Sequence, residues 1–129
     1  MKYRSKIIAN DSEGLQMISA CCAGAEVKVS DIKYLQNNKV FLLSLLRCKI
    51  ETENKDKKVN SICKFEFIEK VKSKNIKQEN PNQKLELLAM DYLKNKENYE
   101  INLVFTNNAY IALSSEIIDV SLEDSLKFD

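Results

Sequence analysis

The sequence predicts a mainly β (α+β) fold: a small antiparallel split barrel of six to seven strands with one helix near the N-terminus, over residues 11–23. Three observations lead there. Beyond Ala25, apolar and polar residues alternate at a period of two over most of the chain, the pattern of strands with one buried face. Asparagine pairs and charged turns separate these runs at short intervals, so sequential strands become neighbours. The strand–helix–strand alternation of a parallel sheet does not occur.

Lys6 to Ala9 suits a short strand. Asn10, Asp11 and Ser12 are good N-cap types, and Glu13 adds negative charge to a first helical turn. Leu15, Ile18 and Cys22 then recur at i, i+3 and i+7, Met17 and Cys21 widen the apolar stripe, and Gly24 is placed to end the helix. The period changes to two at Val27 and Val29, followed by Ile32 and Tyr34. A one-residue slip of phase at Ser30-Asp31 predicts a bulge or a break, because a continuous strand would turn every later side chain to the other face. Asn37-Asn38 predicts a tight turn into a long strand, Val40 to Ile50, which is apolar on both faces and therefore central.

Glu51 to Lys58 reads as a charged loop. Ile62 to Ile68 follows as a half-buried strand with Cys63, Phe65 and Phe67 on one side and Lys64 and Glu66 on the other. Its alternation shifts near Phe67-Ile68 and continues through Val71 to Ile76, which predicts a second bulge or bend. Lys77 to Lys84, with Pro81, is a loop. Leu85 to Leu93 fits a strand or a short helix by periodicity; strand is preferred, because Tyr99, Ile101, Leu103 and Phe105 alternate cleanly after the polar turn Lys94 to Asn98. Asn107-Asn108 repeats the hairpin signal and leads to Tyr110, Ile111 and Leu113. The tail, Glu116 to Asp124, fits strand or helix, and the alternation of Ile118, Val120 and Leu122 favours strand.

At 129 residues, with 44% hydrophobic and 30% charged side chains, the chain has the size and balance of one globular domain, residues 1–129. No apolar run reaches the ~20 residues of a membrane helix, and the N-terminus lacks a secretory apolar region, so a cytoplasmic protein is expected. Four cysteines at irregular spacing suggest reduced core thiols rather than a disulfide framework, and a Cys21-Cys22 bridge would be strained. With no histidine, Ser-His-Asp and Cys-His arrangements within the chain and histidine-ligated metal sites are excluded. The two glycines, Gly14 and Gly24, cannot form a phosphate-binding loop, and no C-x-x-C pair suggests zinc. No cofactor or metal is expected.

Net charge is +1, yet residues 47–84 hold 11 Lys/Arg against 6 Asp/Glu. Within that region Lys70, Lys72 and Lys74 recur at period two, which projects them from one face of a strand where they can meet phosphate or another anion. Stacking aromatics do not alternate with them, so a specific nucleic-acid ligand is not expected. Asp31, at the first strand irregularity, is the candidate carboxylate. The function expected first is a non-enzymatic module or adaptor binding a protein or peptide, with an exposed sheet edge to accept a partner strand. An anion- or phospholipid-headgroup-binding domain using the lysine row comes second, and an enzyme relying on a carboxylate such as Asp31 third. Val40 to Leu46 is apolar enough that a homodimer through one of its faces is also an expectation.

Several segments together carry a resemblance: Ile8-Ala9-Asn10-Asp11-Ser12-Glu13-Gly14-Leu15, Ile18-Ser19-Ala20, and Val27-Lys28-Val29-Ser30-Asp31-Ile32-Lys33-Tyr34-Leu35. It continues through Lys39-Val40-Phe41-Leu42-Leu43, Val71-Lys72-Ser73-Lys74-Asn75-Ile76, Leu87-Leu88-Ala89-Met90 and Ile118-Asp119-Val120-Ser121-Leu122-Glu123-Asp124. Over nearly its whole length the chain resembles a family of small bacterial proteins of unknown function, chiefly alphaproteobacterial. The resemblance implies a fold like the pleckstrin-homology barrel, two bent antiparallel sheets packed at a steep angle, and carries no activity or catalytic residue with it. The chain departs from the family pattern at Gly14, where an acidic residue is common, and at Ser30 and Asn75, where glycine is. Gly14 is expected to weaken the first helical turn. An N-terminal helix also departs from the C-terminal helix usual in pleckstrin-homology domains.

Overall fold

The computed structural model describes residues 6–48, 58–77 and 79–124. Among them are β1 (Lys6–Ala9), α1 (Ser12–Cys22), β2 (Ala25–Lys28), β3 (Ile32–Leu35), β4 (Val40–Cys48), β5 (Lys58–Phe65), β6 (Ile68–Lys74), β7 (Lys84–Asn95), β8 (Asn98–Phe105), β9 (Tyr110–Ser115) and β10 (Val120–Asp124). All pairings are antiparallel, in the order β1-β10-β5-β4-β2-β7-β8-β9-β6, with β3 also paired to β4. The sheet bends so that its inward residues and the inner side of α1 meet in one core cluster. It ends at β1 on one side and at β6 on the other, so it is open rather than closed.

Ten strands among the described residues replace the six to seven expected, and two of the runs that are continuous in the sequence each divide. The phase slip at Ser30-Asp31 is a 3-10 turn, Val29–Asp31, which separates β2 from β3 while both remain on the same edge of β4. The second slip is sharper. Phe67 takes φ 60 and separates β5 from β6, so it points out, 51% exposed, instead of joining Cys63 and Phe65 inside, and Ile68 takes the buried place. β6 then stops at Lys74, short of Ile76. The Asn37-Asn38 turn is likewise a 3-10 turn, Gln36–Asn38, and the left-handed residue is Lys39, not an asparagine. The expected strand Val40 to Ile50 is observed to Cys48; its last residues and nearly all of the charged loop expected over 51–58 lie outside the described residues.

The helix forms for the reasons its sequence gives. Asp11 caps it, its Oδ1 accepting from the Gly14 N–H at 2.8 Å, and Leu15, Ile18, Cys21 and Cys22 are buried. Each fully buried leucine or isoleucine adds roughly 1.5–3 kcal/mol. Gly24, at φ +84, ends the helix and donates to the Leu87 carbonyl at 2.7 Å, which starts β2 alongside β7. α1 lies against β1, β4, β7 and β10, spanning the two arms of the bent sheet. A register shift between Leu87 and Ala89 lets the Met90 N–H turn to the helix, where it donates to Ser19 Oγ at 2.9 Å.

The second half of the sheet is a meander with local turns. β7 and β8 join through Lys96-Glu97, with Lys96 at φ 58, and β8 and β9 join through Asn107 and Asn108, at φ 62 and 60. The tail is strand, β10, inserted between β1 and β5.

Candidate functional site

Lys70, Lys72 and Lys74 lie on β6, opposite Ser114, Ala112 and Tyr110 of β9. A register shift between Ile68 and Lys70 sets their direction. Without it, strict alternation from the buried Ile68 would send all three lysines into the core. With it, the lysines are exposed, while the half-buried Val71 and the exposed Ser73 take the other face, in register with Leu113 and Ile111. No ion pair engages any of the three among the described residues.

Among the described residues β6 pairs with β9 along one edge and has no strand partner on the other. That other edge faces β3, whose one strand partner among the described residues is β4. At one end Tyr34 Oη of β3 donates to the Ile68 carbonyl of β6 at 2.8 Å, and the Ile68 N–H donates at 2.8 Å to the carbonyl of Lys39, which follows the turn after β3. Beyond that point the two strands part. The seam holds a cavity of about 290 Å³, walled by Ile32 and Tyr34 from β3, Val71 and Ser73 from β6, and Ile76 and Pro81 from the following loop. Ile32, Tyr34, Val71 and Ile76 are half-buried and packed against the core. Loop residues hold the far end, since Ser30 and Val29 donate to the carbonyls of Pro81 and Gln83 at 3.0 and 2.9 Å. Asn75, at φ 62, keeps the sharp backbone feature for which the family pattern has glycine, and its Nδ2 donates to the Asn108 carbonyl at 2.9 Å.

Asp31 lies elsewhere. It is exposed at the rim of an open cleft of about 330 Å³ that also receives Glu26, Lys28 and Lys84. Glu26 and Lys84 pair at 3.4 Å, both well solvated, and such a pair contributes little to stability. The structure therefore does not bring Asp31 to the lysine row. The outward face of β4, expected to suit a homodimer, borders a second open depression of about 440 Å³, where Leu35, Leu42 and Ile62 meet Lys64 and Glu123.

Two features escaped the sequence expectations. One is the seam, whose walls come from segments far apart in the chain. The other is a buried polar cluster. Arg47, 1% exposed, donates from Nη2 to Asp124 Oδ1 at 2.9 Å and from Nε to Ser61 Oγ at 3.0 Å, and Ser61 Oγ donates to Asp124 Oδ1 at 2.8 Å. Phase was the available signal: Arg47 follows Leu43 and Leu45, Ser61 precedes Cys63 and Phe65, and Asp124 follows Val120 and Leu122, each on the buried face of its strand. This cluster clamps β4, β5 and β10, and each of its three side chains is buried.

The cysteines divide as well. Cys21, Cys22 and Cys63 are buried and Cys48 is exposed, and no disulfide joins them. Burial pushes the Cys63 thiol well up, and hydrogen bonding and proximity to Cys22 add to the effect. Among the described residues no three Cys, Asp or Glu side chains gather as a metal site requires, and no helix is long and apolar enough to cross a membrane.

Searches of curated proteins and of solved structures return no match. The family model described as a protein of unknown function, DUF2948, matches residues 5–128, and the chain belongs to that family.

Proposed function

We propose that this chain is a non-enzymatic binding module of pleckstrin-homology-like architecture, which holds an extended segment of a cytoplasmic protein along the seam between β3 and β6. The observation that carries this reading is the edge of β6 that has no strand partner among the described residues, at a seam lined by the half-buried Ile32, Tyr34, Val71 and Ile76. An open edge supplies backbone donors and acceptors for an added strand, and a pocket beside it supplies selectivity for alternate side chains. The bent sheet with one packed helix supports the architecture, although the helix follows the first strand rather than the last. Four cysteines without a disulfide fit a reducing compartment.

Selection from a random displayed peptide library on the immobilised protein tests the reading. Enriched peptides are expected to slow amide exchange at Lys70 to Lys74 by at least about ten-fold at saturation. Val71→Asp, its fold checked by circular dichroism, is expected to lose them. Failure to enrich any peptide, or protection confined to another surface, overturns the proposal.

A second reading has its own support in the lysine row, whose three ammonium groups make no ion pair among the described residues. A row of this kind suits a phospholipid headgroup. Wild-type protein is then expected to sediment with phosphatidylserine vesicles and Lys72→Glu to remain in solution; wild-type protein that stays in the supernatant rules this out.

A further inference from the structure

We infer that the segment held at the seam is an acidic strand of alternating pattern, with Asp or Glu at its first, third and fifth positions and apolar residues at its second and fourth. This rests on the seam reading above and deepens it.

The pattern follows from the two faces of β6. A strand added beside β6 continues the pleat, so its side chains fall in the same two rows as those of β6. Over Lys70–Lys74 the outward row is Lys70, Lys72 and Lys74 and the row on the cavity side is Val71 and Ser73. Three positions of the incoming strand therefore stand beside ammonium groups in solvent. The two between them face the cavity of about 290 Å³, where Ile32, Tyr34 and Ile76 form the opposite wall. Opposite charges in adjacent strand positions are favourable and like charges are not. The direction of the added strand does not alter this assignment, since parallel and antiparallel neighbours share faces.

Charge also disposes of a second copy of this chain as the occupant. Pairing β6 with β6 sets lysine against lysine at each of three outward positions. Lysine on an edge is a common device against such self-association. The same row attracts an acidic strand. At the Ile68 end the backbone is already engaged by Lys39 and Tyr34, so the site begins after Glu69 and spans the five residues from Lys70 to Lys74.

Labelled peptides and the full chain provide the test. The peptide Ser-Glu-Val-Glu-Val-Glu-Ser is compared with its block isomer Ser-Glu-Glu-Glu-Val-Val-Ser by fluorescence anisotropy. The alternating peptide is expected to bind about ten-fold more tightly and to weaken severalfold as salt rises from about 0.05 to 0.5 M. Lys72→Glu is expected to lose it, and a peptide with lysine at the central position is expected to restore binding to that variant. Equal binding of the two isomers, or indifference to Lys72→Glu, overturns the inference. If library peptides slow exchange at Lys70 to Lys74 but lack alternating acids, the seam reading stands and this inference falls. If no peptide protects the seam, both fall. Binding to phosphatidylserine vesicles with no peptide binding assigns the lysine row to a lipid surface and overturns the inference as well.

Discussion

At Gly14 the two effects of adding a methyl group have opposite signs. Alanine is favoured over glycine inside a helix by about 1 kcal/mol, and on that ground Gly14 looks like a weakness in the first turn. The structure places it against β1, where an added Cβ would lie 2.9 Å from both Cα and Cβ of the fully buried Ala9. Forcing volume into such a contact costs about 1–3 kcal/mol, so Gly14→Ala is expected to lower stability overall, read as a lower urea midpoint with an unchanged slope. A higher midpoint shows that β1 can move aside. Cys63 supports a second prediction at this scale. Burial, with the Cys22 hydrogen bond added, keeps its thiol protonated in the folded chain at pH values where the unfolded chain ionises it. The unfolded state then binds fewer protons, so stability falls as pH rises above about 8.5, toward the raised folded value. Urea unfolding between about pH 8 and 10 should show this decline in the wild type and a flatter profile in Cys63→Ala. Equal slopes place the titration in other groups.

Among the elements, β10 depends most on a side-chain cluster. Its last described residue, Asp124, meets Arg47 of β4 and Ser61 of β5 in a site only 1–3% exposed. Removing one member of a buried charge pair leaves the other uncompensated and costs about 3–5 kcal/mol, whereas replacing both by apolar residues of similar size is often neutral. Asp124→Leu and Arg47→Met are each expected to be strongly destabilising, and the double variant far less so than their sum; additive effects show that the pair is not coupled. What the sequence could show of these elements follows from how local each cause is. The Asp11 cap, the Gly24 stop and the Asn107-Asn108 turn act within a few residues, and all three are legible in the chain. The phase shift at Phe67-Ile68 marks the bend, but the direction of Phe67 was not legible, because a bulge read from phase alone leaves open which of two adjacent apolar residues turns out. The register shift between Ile68 and Lys70 falls at that same bend, and it decides whether the lysine row faces water or the core.

For the whole molecule, the seam shows why the candidate site was only half legible. Alternation reveals Lys70, Lys72 and Lys74 as a row. That β3 and β6 face each other is set by pairing partners elsewhere, since β3 is held by β4 and β6 by β9. The count of strands failed in part for a related reason, because a break in pairing divides a run whose composition is continuous. The same long-range connections bear on how the molecule unfolds. β1 pairs with β10, at the opposite end of the described chain, and β10 pairs with β5. Both arms of the sheet and α1 share one core cluster, so no arm retains a core of its own when the other leaves. A single cooperative transition in urea is therefore expected. The chain has no tryptophan, and the tyrosine pair Tyr92–Tyr99, with ring centroids 6.0 Å apart on β7 and β8, offers a fluorescence probe of the meander arm. Tyrosine emission and far-ultraviolet circular dichroism should give one midpoint, with a slope of about 1–3 kcal/mol per molar urea. Emission that changes at a lower concentration than the dichroism would show the meander opening first. The two arms would then be separate cooperative units joined at β2 and α1, and the seam would lie at the boundary between them.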